Sequence, residues 1–226
     1  MAGKLYLCPT PIGNLEDITL RTIRALREAD LIVAEDTRRS RALLRRYNIR
    51  TPFTRSYYQG VERERVPGII KLLEEGQDVA LISDAGTPLI SDPGYPLVKK
   101  ALERGIEVIA LPGPTALIPA LIASGFPPAR FAFDGMLPRR QGKLRRYLEA
   151  LQTEPRTVII YESPHRILKA LKMMAEVLPE REVALCRELT KLHEEVLRGR
   201  PAELLEVLEQ RERIKGELVL VIRGAG

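Results

Sequence analysis

Short, unbroken apolar runs recur along this chain, and each one stops at a cluster of small, turn-forming or charged residues. Runs of that length bounded by such clusters read as strands buried on both faces. They fall at residues 4–8, 31–34, 79–82, 106–111, 131–136, 157–161, 183–186 and 217–222. Between them lie stretches with helical spacing. Ile18, Ile23 and Leu26 mark one, an arginine-rich segment after Arg38 a second, and 66–73, 95–104, 139–151 and 201–212 further ones. An apolar helix also follows Thr115. Alternation of strand and helix predicts an α/β fold with a parallel or mixed sheet. At 226 residues the chain suits two small α/β domains, placed at 1–115 and 125–226. A Gly/Pro cluster at 123–128 marks the nearby hinge region, 116–124.

The strand ends carry the chemistry. The run at 79–82 gives way to Ser83-Asp84-Ala85-Gly86-Thr87-Pro88, which brings backbone, a carboxylate and a hydroxyl to the edge where open α/β sheets bind ligands. The run at 106–111 ends in Pro112-Gly113-Pro114-Thr115-Ala116, a second copy of the design, and the two ends could share one pocket. Neither GxGxxG nor GxxxxGK[ST] occurs, so glycine-loop cradling of a dinucleotide or nucleotide phosphate is disfavoured. Further strands end at Glu35-Asp36-Thr37-Arg38, at Glu162-Ser163-Pro164-His165-Arg166 and at Arg187-Glu188-Leu189-Thr190-Lys191. A lone histidine such as His165 is ordinarily a structural hydrogen-bonder. An ion pair with a nearby arginine is the ordinary fate of Glu162 or Glu188.

Composition narrows the class. Hydrophobic residues at 45% and charged residues at 29% support a packed core. No apolar run reaches the roughly 20 residues that span a bilayer, and the N-terminus lacks a basic-then-apolar signal, so a cytoplasmic protein with no membrane partner is expected. Cys8 and Cys186 sit alone in apolar segments, which reads as small buried hydrophobes and no metal site.

A net charge of +6 raises the prior for an anionic partner. Six arginines and no acid occupy 38–50, and Arg38, Arg41 and Arg45 recur at helical spacing. A solvated helix face explains such a run as readily as a polyanion does. A second patch holds Arg139, Arg140, Lys143, Arg145 and Arg146, again without an acid. Tyr57 and Tyr58, in the segment 53–58, could stack bases, although adjacent tyrosines more often simply pack.

Several strand-end segments together resemble one family. They are PTPIGNLEDIT (9–19), AEDTR (34–38), SDAGTPLISDPG (83–94), PGPTA (112–116), ESPHR (162–166), RELTK with its following EE (187–195) and GELVLVI (216–222). Spread in order over nearly the whole chain, they are similar to the 16S ribosomal RNA cytidine 2′-O-methyltransferases of the tetrapyrrole methylase-like superfamily, the class III methyltransferases. The resemblance implies two α/β domains with S-adenosylmethionine in a cleft between them, a homodimer, and 16S rRNA within the small ribosomal subunit as substrate. It implies cofactor contacts at Pro11, Gly86, Thr87, Pro88, Ile90, Thr115, Ala116, Tyr161, Leu189, Gly216 and Glu217. Superfamily members that act on tetrapyrroles often have Gly-Asp-Pro where this chain has Gly86-Thr87-Pro88, a departure that fits the RNA-modifying branch. Many of that branch continue into a short helical tail beyond the last strand.

Methyl transfer at a sulfonium depends on aligning a nucleophilic oxygen with the methyl carbon. A ribose hydroxyl gains from a base within hydrogen-bond reach. Asp36, Asp84, Glu188 and Lys191 are the candidates for that role, with His165 in reserve. Both basic clusters are expected to hold RNA phosphates, which set position without reading bases. Two rival readings remain: a methylase acting on a small tetrapyrrole, which would not need two arginine clusters, and a non-catalytic RNA-binding module, which would not need S-adenosylmethionine.

Asparagine occurs only at Asn14 and Asn48 beside abundant Arg and Glu, a composition that suggests heat adaptation. The chain should therefore unfold above about 65 °C, beyond the usual mesophile range. A calorimetric melt at or below that temperature removes the suggestion.

Overall fold

A computed structural model describes residues 1–53, 56–58 and 60–226, and their contacts divide the chain into two units, Met1–Thr115 and Ala116–Gly226. In the first unit β1 (Leu5–Cys8), β2 (Leu31–Ala34), β3 (Val79–Ile82) and β4 (Val108–Ala110) form a parallel sheet in the order β2-β3-β1-β4. Both faces of this sheet are covered, which is why its strands read as continuous apolar runs. On one side α1 (Leu20–Glu28) and α2 (Thr37–Arg46) pack against Cys8, Ile32, Ala34, Ala80 and Ile82. On the other, α3 (Glu62–Glu74) and α4 (Tyr95–Glu103) pack against Leu5, Val33, Val79 and Leu81. Tyr57 is wholly buried in that second core, whereas Tyr58 is exposed. Of the segment proposed for base stacking, Thr54 and Arg55 lie outside the described residues. Because all four strands run the same way, their C-terminal ends share one edge.

The second unit begins with α5 (Leu117–Ser124), followed by β5 (Phe131–Met136), α6 (Gln141–Leu151), β6 (Thr157–Glu162), α7 (Ile167–Val177), β7 (Val183–Arg187), β8 (Glu195–Gly199), α8 (Pro201–Glu209) and β9 (Leu218–Ile222). Its sheet runs β5-β6-β9-β7-β8, parallel only between β5 and β6. Leucines and methionines of α6, α7 and α8 cover the face that carries Val158, Ile160, Leu185, Leu218 and Leu220. The apolar helix read after Thr115 is α5, and with its N-cap it occupies residues 116–124, the region marked as the hinge, inside this unit. Leu117, Ala120, Leu121 and Ser124 of that helix are buried, and the Cys186 thiol donates to the Ala120 carbonyl at 3.8 Å. Gly125 at φ 75° terminates the helix, so the Gly/Pro cluster marks a helix end and not a domain boundary. No helix among the described residues is long and apolar enough to cross a membrane.

Both cysteines are buried, each in its own unit, and burial pushes Cys8 up to about 12 and Cys186 up to about 11. They pack as small apolar side chains, as read from the sequence.

Strand β8 was not legible in the sequence. It is a polar edge strand, held to β7 by antiparallel pairing and by a clamp at its first residue. Arg211 forks onto Glu195 with N···O distances of 2.8 and 2.7 Å, and Arg187 Nε donates to the same carboxylate at 3.0 Å. These bonds, those from Arg211 foremost, hold Glu195 down at about 2 against an ordinary 4.5. A folded-state pKa below the unfolded one contributes stability that is complete above the ordinary carboxylate range and is lost as pH falls toward the folded value. Glu195→Gln should thus remove roughly 1–3 kcal/mol at neutral pH. In thermal melts over a pH series, the gap between variant and parent should close as pH drops from 4.5 toward 2. A gap that is constant with pH contradicts the linkage.

Candidate active site

In the first unit, hydrogen bonds join the loops that leave the sheet edge. Thr10 and Gly86 exchange backbone N–H···O bonds of 2.9 Å in both directions, and the Thr10 hydroxyl donates to the Ser83 carbonyl at 3.1 Å. Thr87 Oγ1 then donates to the Pro114 carbonyl at 2.8 Å, tying the β3 loop to the β4 loop. The two strand ends read as one pocket thus flank β1 and are bonded to each other. Gly86 sits at φ 86°, and a Cβ there would lie 3.5 Å from Ile12 and 4.0 Å from the Thr115 Cα. Glycine is needed for the backbone angle, and it leaves a floor of bare backbone. Pro11, Thr87, Pro88, Ile90 and Thr115 belong to the same group of cross-linked loops. Leu89 and Ser91 take φ values of 73° and 66°, strain of about 1–3 kcal/mol each held in the 83–94 loop.

The two aspartates proposed as bases in this unit are already engaged. Asp36 is the N-cap of α2, and its Oδ1 accepts from the Arg38 amide at 2.9 Å. The Arg38 guanidinium lies on both of its oxygens, at 3.2 and 3.1 Å, and holds this carboxyl below its usual range. Asp84 accepts from the Asp36 amide at 3.0 Å and from Arg39 at 3.2 Å. Residues that the sequence reading passed over lie beside them. Glu35, Glu62, Asp92 and Tyr95 line a pocket of about 440 Å³. Burial, with Asp84 and Asp92 nearby, pushes the Glu35 carboxyl up. The AEDTR and SDPG segments held the signal, but only Asp36 was drawn from the first and no acid from the second.

In the second unit β6 and β7 end, and β9 begins, at one edge, since Glu162, Leu218 and Arg187 are in register. Just beyond it, Glu188 Oε1 accepts from Lys191 Nζ at 2.7 Å and from the Glu217 amide at 2.9 Å. Lys191 Nζ also lies 3.2 Å from Glu217 Oε2. Among the described residues nothing donates to the second oxygen, Oε2 of Glu188. Burial alone would raise the Glu188 pKa and lower that of Lys191. Their hydrogen bonds to one another and to Glu217 reverse both, so Glu188 is held ionised and Lys191 protonated. Gly216 makes room for this pair: at φ 95°, a Cβ there would meet Glu188 Cγ at 2.4 Å. Leu189 is buried beneath the turn. Tyr161 Oη accepts the free first amide of α5, that of Leu117, at 3.1 Å, which places Ala116 beside it.

The structure therefore brings Glu188, Leu189, Lys191, Gly216 and Glu217 together on one edge. His165, three residues beyond the end of β6, is exposed, its amide 3.3 Å from Ser163 Oγ. Glu162 is buried with Arg166 3.3 Å from Oε2, but off the hydrogen-bond direction, so that oxygen receives no donor.

The basic clusters are unequal in their freedom. Arg38 is bound to Asp36, and Arg145 to Glu176. Arg41 and Arg45 on α2, and Arg139, Arg140 and Lys143 at the start of α6, are exposed and have no carboxylate partner among the described residues. Arg146 donates only to the Gly142 carbonyl, at 3.3 Å.

Comparison with known proteins places these features. Residues 4–205 match the family described as Tetrapyrrole (Corrin/Porphyrin) Methylases. The chain is 47% identical over 222 residues to "Ribosomal RNA small subunit methyltransferase I" of Thermotoga maritima, covering 98% of this chain and 99% of that protein. It is also 47% identical to the protein of that name from Escherichia coli O157:H7, over 98% of this chain and 78% of the relative. Among solved structures, a uroporphyrin-III C-methyltransferase from Thermus thermophilus complexed with S-adenyl homocysteine superposes with a TM-score of 0.67 at 20% identity, over 97% of each chain. A diphthine synthase reaches 0.76 at 16% identity, over 98% of this chain and 90% of the other. At those identities the structures speak for the fold, while the sequence relatives speak for the branch. The chain belongs to the tetrapyrrole methylase family of class III methyltransferases and, within it, to the family named ribosomal RNA small subunit methyltransferase I.

Proposed function

We propose that this protein transfers a methyl group from S-adenosylmethionine to the 2′-oxygen of a cytidine ribose in the decoding centre of 16S rRNA. The small ribosomal subunit is its substrate and a homodimer its working form. The observation that carries the reading is 47% identity, over nearly all of both chains, to a protein named for methylating small-subunit ribosomal RNA. Thr87 in place of the acid common in tetrapyrrole-modifying relatives points the same way.

The residues suit the donor. S-Adenosylmethionine supplies an electrophilic methyl carbon on a sulfonium. The bare floor at Gly86 and the apolar and hydroxyl groups of Pro11, Ile90, Thr87 and Thr115 present no cation to oppose that charge. On the second unit Tyr161, Ala116, Leu189, Gly216 and Glu217 offer the same kind of surface, and the Lys191 ammonium beside them is matched by two carboxylates.

The acceptor hydroxyl is a weak nucleophile and needs a base. Of the four candidates, Asp36 and Asp84 each have both oxygens engaged, and Lys191 is a cation with no lone pair to offer. Glu188 alone keeps one carboxylate oxygen open while the other is fixed. It takes the ribose proton, and Lys191 and the Glu217 amide hold it in place and ionised. Arg41 and Arg45, with Arg38 once it leaves Asp36, and the cluster from Arg139 to Arg146 hold backbone phosphates.

Incubating the protein with labelled S-adenosylmethionine and unmethylated small subunits should place label on a cytidine ribose, and label on a base refutes the assignment. Glu188→Gln should lower kcat by about 10²–10⁴-fold with little change in KM for the subunit. The parent rate should fall only when pH drops below the ordinary carboxylate range, because Lys191 keeps Glu188 ionised. A rate that titrates near neutral pH assigns the base elsewhere. Replacing Arg38, Arg41 and Arg45 together by glutamine should make the salt dependence of RNA binding shallower by about two to three in log–log slope. An unchanged slope removes α2 from the RNA interface.

A further inference from the structure

A second cavity, of about 350 Å³, opens beside Glu188 and takes most of its wall from residues assigned no role so far: Arg187, Arg211, Arg213, Lys215 and His193. Its charge is unevenly balanced. Arg187 and Arg211 share the single carboxylate of Glu195, which fixes both guanidinium groups in position. Arg187 spends only its Nε on that bond, so its two terminal nitrogens remain free to donate. Arg213 and Lys215 are exposed and have no ion-pair partner among the described residues. Glu188, the one acid on the wall, is already matched by Lys191. The cavity therefore holds a net positive charge made of one immobilised guanidinium pair and two free cations. Such a combination suits a monoanion with several acceptor oxygens.

RNA chemistry says which anion belongs next to Glu188. In a ribonucleotide the carbon bearing the 2′-hydroxyl is bonded to the carbon bearing the 3′-phosphodiester. A protein that presses a 2′-oxygen against a carboxylate must also accept a phosphate a few ångströms away, where it would otherwise be repelled by that carboxylate. We propose that the Arg187–Arg211–Arg213–Lys215 cavity seats the phosphodiester on the 3′ side of the ribose that is methylated. This rests on the reading of Glu188 as the base. The cavity anchors the target nucleotide by its backbone and offsets the repulsion between its phosphate and Glu188. It selects RNA position without selecting the base.

The test compares Arg213→Gln/Lys215→Gln with a matched control, Lys169→Gln/Lys172→Gln on the exposed face of α7. The cavity variant should raise KM for small subunits about tenfold, change kcat little, and make the salt slope of subunit binding shallower by about one or more. The control should match the parent, and calorimetric affinity for S-adenosylmethionine should be equal in all three. Small subunits carrying an uncharged methylphosphonate at the linkage 3′ to the target ribose should show the same tenfold rise with the parent, and no further rise with the cavity variant. A cavity variant that behaves like the control overturns the proposal. So does loss of S-adenosylmethionine affinity in place of subunit affinity, which would give the cavity to the methyl donor, and so does a methylphosphonate without effect on the parent. If the parent labels no ribose at all, it is the earlier reading that fails, and the labelling assay reports this separately.

Discussion

The loop after β7 depends on a contact that only a hydrogen at residue 216 allows. Glu188 lies across the α-carbon of Gly216, where a methyl group would sit 2.4 Å from its Cγ. From that contact follows the placement of the carboxylate, because Oε1 then reaches both the Glu217 amide and Lys191. The turn that begins there takes Glu188 and Thr190 to φ values of 52° and 67°, a strain of about 1–3 kcal/mol per residue. Charge-assisted hydrogen bonds of about 1.5–3 kcal/mol each offset it. One of them, from the Thr190 amide to Glu194 at 2.6 Å, closes the turn and delivers the chain to Glu195 and its two arginines. The placement of Glu188 and of its partner Lys191 therefore hangs on one absent side chain.

The first unit reaches a similar rigidity by different means. Its strand-end loops are cross-linked by backbone and hydroxyl bonds between Thr10, Gly86, Ser83, Thr87 and Pro114. Prolines at 9, 11, 88, 93, 112 and 114 remove much of the freedom that those loops would have when unfolded. Strained residues here too, Leu89 and Ser91, sit in the loop that the edge presents. Displacement at a methyl carbon rewards such stiffness, since most of what a protein can contribute is the alignment of oxygen, carbon and sulfur.

Much of the fold was legible because buried strands leave an unmistakable trace. The parallel sheet of the first unit reads as four apolar runs, each stopped by a turn. What escaped notice lacked that trace. β8 is a polar edge strand, with no apolar run to announce it. The site was legible as residue types but not as states. Asp36 and Asp84 have the composition of a base yet serve as a helix cap and its brace. Nothing in a linear reading separates them from Glu188, whose side chain packs against a glycine 28 residues downstream. The cavity beside it escaped for a related reason. Arg211, Arg213 and Lys215 alternate with Glu212 and the apolar Ile214, so no charge run announces them.

Counting arginines in the sequence treats every cation as equally available to RNA, and the structure does not. A guanidinium bound to a fixed carboxylate must give up that partner before it can neutralise a phosphate, so the exchange releases little free energy. Arg38, Arg39 and Arg145 stand in that position against Asp36, Asp84 and Glu176. Arg41, Arg45, Arg139, Arg140 and Lys143 do not, and each can displace counterions at full effect. Arg187 and Arg211 are a third case. Sharing one carboxylate, they keep a net charge while losing the side-chain freedom that binding would otherwise have to remove. On the reading proposed above, the preorganised cations beside Glu188 would fix one nucleotide and the free ones on α2 and α6 would gather a large polyanion, two tasks that respond differently to salt. Screening weakens contacts of the exposed cations first, and those of the half-buried Arg187–Arg211 pair less.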